Sequence, residues 1–140
     1  MKNHVKVVWN KDIQFVAQDD FGHRMILDSD PSANEPDEGF RPSHLLMIAL
    51  VGCTGMDVIS ILRKMNHQVT HFEIEAIGEH NDEYPKKYHH MHVTYHITGK
   101  AIKESDLQHA IKLSETKYCI VRNTLAPSVE ITSSYTLTES

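Results

Sequence analysis

Two cysteines carry the most chemically useful side chains in this sequence of 140 residues. Cys53 sits in residues 42–65, PSHLLMIALVGCTGMDVISILRKM, where an apolar run ends on the thiol and Thr54-Gly55 follows. Cys119 lies in KYCIVRNTL, where a helix is expected to end. The reactive form of such a residue is the thiolate, a nucleophile and a metal ligand. Burial disfavours that charge, so a working thiol in apolar surroundings needs a cation or a hydrogen-bond donor beside it. Two cysteines do not make a disulfide scaffold at this length. In a reducing cytosol such a pair is free, catalytic or redox-sensing. The plainer alternative makes Cys53 a small hydrophobe in a tight helix crossing, helped by Gly52 and Gly55, and Cys119 a buried thiol at a helix end.

The eleven histidines offer a second chemistry. His90, His92 and His96 fall on one face of an alternating run, with neighbours two apart spaced by about 7 Å along a strand. With His80 or His89 from the turn before it, that face has the donors of a surface zinc or nickel site. Three imidazoles along one strand do not converge on one ion, however, and the sequence holds no HExxH or CxxC. The reading is a solvated strand face and no metal centre.

The elements that position these residues follow from periodicity. Val5, Val7 and Trp9 alternate with polar residues, Asn10-Lys11-Asp12 suits a tight turn, and Ile13, Phe15 and Ala17 alternate again. A third short strand is expected through Met25, Ile26 and Leu27. The acidic, proline-rich stretch DSDPSANEPDEGFRP then reads as a loop, and its length marks it as a segment that lies near whatever the next helix carries. Pro42 fits the first turn of that helix, and Arg63-Lys64 complement its C-terminal dipole. Beyond Asn66 the period falls to two: Phe72, Ile74 and Ala76, then, after a polar turn over 79–87, Met91, Val93, Tyr95 and Ile97. Ser105 and Gln108 have the spacing of a capping box, opening a helix that buries Leu107, Ala110 and Ile111. Pro127 stops the helical pattern, and Val129, Ile131, Tyr135 and Leu137 form a closing strand. The result is an α+β fold with a mostly antiparallel sheet, one domain spanning residues 1–140.

The formal net charge of -5 argues against nucleic acid and anionic membrane as partners. The N-terminus lacks the apolar core of a signal peptide, and the run over residues 45–53 is too short to span a bilayer. A soluble, cytoplasmic protein is expected.

The residues carrying both thiols resemble a known family. RPSHLLMIALVGCTGMDVISILRK is similar to the central-helix signature of the OsmC/Ohr family, the osmotically inducible and organic hydroperoxide resistance proteins. The likeness is strongest to the OsmC-like branch, with its pattern SP-x-E-LLL-x-AL-x-x-C-T-x-x-D-V. KYCIVRNTL resembles that family's second-cysteine motif, and HRMILDSDP its strand entering the active-site loop. The resemblance implies an OsmC-like fold, an intertwined homodimer with two long helices at its centre and sheets wrapped around them, and two sites at the subunit interface. It further implies a peroxidase of oxidative-stress defence that takes organic hydroperoxides. Cys53 would be the peroxidatic residue and Cys119 the resolving one, with a dithiol or lipoyl-type reductant recycling their disulfide and no metal or organic cofactor. The apolar flank of Leu46, Leu50 and Met56 would favour an organic peroxide.

The sequence also departs from that pattern. Active members carry a glutamate directly after the helix-starting proline, pairing with an arginine that contacts the thiolate; here the position is Ser43, with His44 next. Lys11, Arg24 and Arg41 are the candidate cations, and Glu35, Asp37 and Glu38 the candidate acids. Asp57, on the side of Cys53, reads as a paired structural charge. The departure at Ser43 keeps open a second reading, a non-catalytic dimer that binds a small apolar ligand or senses redox state.

Overall fold

A computed structural model describes residues 1–29 and 37–140. The chain forms two compact units, Met1–Leu46 and Met47–Ser140, in a mixed α+β arrangement.

In the first unit, β1 (Val5–Lys11), β2 (Gln14–Asp19) and β3 (Arg24–Leu27) form an antiparallel sheet in sequence order. The first turn sits later than the alternation suggests: Lys11 pairs with Gln14, and Asp12 takes the left-handed conformation at φ 48°. Ile13 therefore lies in the turn and is exposed, while Gln14 is buried and donates to Asp28 at 3.2 Å. Residues 37–40 return beside β3, with the Phe40 amide donating to the Ile26 carbonyl at 2.9 Å. Gly39 is required there, because a Cβ would collide with the Ile26 backbone.

Helix α1 (Pro42–Lys64) occupies 23 residues. It ends in a Schellman motif: Asn66 is left-handed at φ 62°, the His67 amide reaches the Leu62 carbonyl, and the Asn66 amide reaches Arg63. By length and composition α1 is apolar enough to cross a membrane. Leu50, Thr54, Val58 and Leu62 are nonetheless packed inside the protein. That i, i+4 stripe defines the packed face, and Cys53 stands at its flank.

The second unit holds β4 (Gln68–His80), β5 (Tyr88–Lys100) and β6 (Glu130–Glu139), in that spatial order. β4 and β5 pair antiparallel, but β6 runs parallel to β5, a departure from the antiparallel pattern. The reason is the connection between them. Helix α2 (Glu104–Leu113), a π-helical turn (Ser114–Tyr118) and helix α3 (Ile120–Leu125) carry the chain back across before β6 starts. The capping box does not form: Lys103 is the N-cap, Ser105 falls inside the first turn, and Gln108 donates instead to the Tyr135 hydroxyl at 2.7 Å. Met91, Val93, Tyr95 and Ile97 on the inner face of β5 meet Leu50, Val58 and Leu62 of α1 and Leu107, Ala110 and Ile111 of α2 in one core. Outward, the histidine face is occupied by cross-strand hydroxyls: His92 bonds Thr132 at 2.6 Å, His90 bonds the same oxygen at 2.9 Å, and His96 bonds Thr136 at 2.9 Å.

Candidate active site

Both cysteines belong to the second unit and both are free thiols. Cys53 is half-buried on α1; Cys119 is wholly buried in the core. The Cys53 side chain is close enough to act on the Cys119 thiol. Burial is the main reason that the Cys119 thiol is pushed up to about 11, and the contact with Cys53 adds to it. The Arg122 backbone amide, 3.3 Å from Cys119 Sγ, works in the opposite direction.

Local structure explains how Cys119 reaches this position. The Cys119 amide donates to the Ser114 carbonyl at 2.9 Å, a bond spanning five residues that closes the π turn. Such widened turns occur often at functional sites. Cys119 itself is extended (φ -76°, ψ 104°) and acts as the N-cap of α3, accepting the Arg122 amide with its sulfur.

A polar chain runs beside the thiols. Tyr95, buried on β5, donates its hydroxyl to Glu115 Oε1 at 3.2 Å. Its oxygen lies 2.6 Å from Thr54 Oγ1. A phenol has one proton to give, so Thr54 is the donor in that contact. Burial raises the Tyr95 phenol above its ordinary range, the Thr54 hydroxyl opposes the shift, and the Glu115 charge adds to it. One residue before Glu115, Ser114 Oγ donates to Asp57 Oδ2 at 2.8 Å. Asp57 is thus a paired charge joining α1 to the π turn. Gly55 lets α1 approach β4, where a Cβ would come within 2.7 Å of Ile74, whereas Gly52 faces open space.

The residues expected to support Cys53 are placed as follows. Arg41 makes a forked contact with Asp37 (3.2 and 3.1 Å), and Lys11 pairs with Glu38 at 3.1 Å. Both pairs lie in the first unit, as do Arg24, exposed on β3, and Ser43 in the first turn of α1. Glu35 lies outside the described residues. Of the expected apolar flank, Met56 is 74% exposed, but Leu50 is fully buried and belongs to the core. Sequence reasoning passed over Thr54, Tyr95, Glu115 and Arg122 as site residues. The alternation marked Tyr95 as core without indicating where its hydroxyl goes, and nothing in the pattern signals a π turn.

Comparison with known proteins places these features in a family. Residues 35–134 match the family model for OsmC-like proteins. Protein YhfA of Escherichia coli K12 is 31% identical over 130 residues, covering 93% of this chain and 94% of YhfA. Among solved structures, an OsmC-like protein from Mycoplasma pneumoniae superposes with a TM-score of 0.83 at 18% identity, covering 99% of this chain and 98% of that one. The organic hydroperoxide resistance protein OhrB of Bacillus subtilis gives 0.62 at 15% identity, covering 97% and 98%. At those identities the two structures share the fold.

Proposed function

This chain belongs to the OsmC-like family, and from that premise we propose that it is a thiol-dependent peroxidase reducing organic hydroperoxides through Cys53 and Cys119. The observation that carries the reading is the neighbouring pair of free thiols, one half-buried and one buried. The Cys53 thiolate attacks the outer peroxide oxygen; the O–O bond breaks, the alkoxide takes a proton and leaves as the alcohol, and Cys53 becomes a sulfenic acid. Cys119 then displaces hydroxide from that sulfur, leaving a disulfide and water. A dithiol or lipoyl-type reductant restores both thiols. No organic cofactor or metal enters these steps.

The same reading takes residues 1–140 as one OsmC-like domain that works as an intertwined homodimer in the cytoplasm. Exposed apolar side chains support the dimer. Val5 is 73% and Trp9 62% exposed on β1, with Val7, Val8, Phe15, Met25 and Ile26 also open on the same small sheet, and Leu46, Ile48 and Met56 on α1. Exposed apolar side chains clustered on one element mark an interaction surface. Ser43 in place of an acid favours the second reading, a non-catalytic dimer holding a small apolar ligand or sensing redox state.

The test is to add cumene hydroperoxide or tert-butyl hydroperoxide to reduced protein and follow thiol loss. Fast, stoichiometric loss that disappears in Cys53→Ser supports the peroxidase. Loss no faster than that of free cysteine refutes it in favour of the binder.

A further inference from the structure

Arg122 is placed oddly for a structural arginine. Its guanidinium forks onto two backbone carbonyls, Nη1 to Glu115 at 2.8 Å and Nη2 to Ile131 at 3.2 Å. Its Nε is buried and has no hydrogen-bond partner among the described residues. None of the ion pairs among the described residues includes it. The positive charge is permanent, and its field reaches the Tyr95 hydroxyl. A buried charged donor left open is costly. The same residue's backbone amide is already on Cys119 Sγ, at 3.3 Å.

We propose that Arg122 is a positioning residue for the second thiol: it staples the π turn, α3 and β6 around Cys119, and provides the cation against which the Cys119 sulfur ionises as it attacks Cys53. The inference rests on the peroxidase reading for its natural oxidant, but its physical content concerns disulfide formation alone. In that step the S–S bond forms as the Cys53 S–O bond breaks. The departing hydroxide takes the proton released by Cys119 and leaves as water. Cys119 is buried and holds its proton at neutral pH, so the step is limited by how readily that proton is lost. An arginine fixed by two carbonyls lowers that barrier without reorganising, whereas one paired with a carboxylate would be neutralised.

The experiment is a single turnover on the full-length reduced protein, comparing wild type with Arg122→Met and Arg122→Lys. One equivalent of cumene hydroperoxide is added, and quenched samples are analysed by mass spectrometry for dimedone-trapped Cys53 sulfenate and for the Cys53–Cys119 disulfide. In Arg122→Met the trapped sulfenate should accumulate and disulfide formation should slow at least tenfold. The rise of that rate with pH should move to higher pH. Arg122→Lys, which keeps the charge but loses the fork, should be slower than wild type with its pH profile near the wild-type position. A purely structural role would lower the rate without moving the profile, and that outcome overturns the proposal, as does a wild-type rate in Arg122→Met. Should Arg122→Met not fold by circular dichroism, Arg122→Gln, neutral but able to donate to one carbonyl, carries the same comparison. If the peroxide leaves wild-type Cys53 unoxidised, the peroxidase reading has failed. Arg122 is then tested with diamide, which adds to the Cys53 thiolate and is displaced as the hydrazine by Cys119, with the same expected ordering of the three proteins.

Discussion

Replacing Tyr95 by Phe and Thr54 by Val, singly and together, probes the polar chain beside the thiols. Thr54 is 1% exposed and Val matches its shape, so Thr54→Val removes the 2.6 Å bond to Tyr95 and little else. One neutral hydrogen bond is worth about 1 kcal/mol. Tyr95→Phe removes that bond and the 3.2 Å bond to the Glu115 carboxylate. A bond to a charged acceptor is worth about 1.5–3 kcal/mol. Glu115 is only half-buried and recovers some hydration, and the orphaned Thr54 hydroxyl can turn back to a carbonyl of its own helix. The expected loss is therefore about 2–3 kcal/mol. Once Phe stands at position 95, Thr54 has no partner to lose, so the double variant should cost about the same as Tyr95→Phe alone. The coupling is then about 1 kcal/mol, against a sum of about 3–4 kcal/mol for independent sites. Urea unfolding of reduced protein at one fixed concentration measures it, with Tyr95→Phe lowering the midpoint by about 1 M at an m value of about 1–3 kcal/mol/M. Losses that add to within about 0.3 kcal/mol would refute the chain.

Stability should fall between pH 9 and 11. The unfolded Cys119 thiol ionises near its ordinary value of 9.0 and the folded one near 11; below both values neither state is ionised, and between them the unfolded state loses its proton first, which favours unfolding. The loss reaches about 2–3 kcal/mol above both values, so the stability of wild type minus that of Cys119→Ser should decline over this range, and a flat difference in urea titrations rejects the burial argument. Gly99→Ala should cost about 2–3 kcal/mol, because the new methyl meets the Gln68 carbonyl oxygen and the Ile102 side chain; a thermal midpoint equal to wild type would show that the end of β5 yields. Val5→Lys with Val7→Lys should halve the mass seen by light scattering from twice 16.0 kDa to a single chain; a wild-type protein that is already monomeric at micromolar concentration removes the dimer from the proposed function.

Much of the element order was legible because each segment has one strong period. β5 is the clearest example: Met91, Val93, Tyr95 and Ile97 are the buried face that the alternation names. The family was legible from the spacing of Pro42, Cys53 and Asp57. Three features escaped, each for a physical reason. Direction of pairing is not encoded in a period of two, so the parallel course of β6 follows from the crossover and not from its own residues. The apolar run of α1 does not by itself mark an inward face, and the core selected the i, i+4 stripe Leu50, Thr54, Val58 and Leu62. The Ser105 and Gln108 spacing was overridden because Lys103 supplies the carbonyl that receives the first amides of α2.

The site shows where such reading stops. Spacing along the chain marked charged groups, Arg24, Arg41 and Lys11, because charge is visible in a letter code. The features surrounding the thiols are backbone amides, a π turn, a phenol and a threonine hydroxyl, and these become functional only through placement. Of the two sulfurs, Cys119 is buried and its thiol is pushed up by that burial, while Cys53 is half-buried. The buried one keeps its proton, and the half-buried one is the sulfur open to solvent. In the proposed peroxidase this asymmetry assigns the order of the two steps, with Cys53 meeting the oxidant and Cys119 following. The cost is transferred to the second step, where the buried proton must be surrendered, and there an arginine without a carboxylate partner becomes useful.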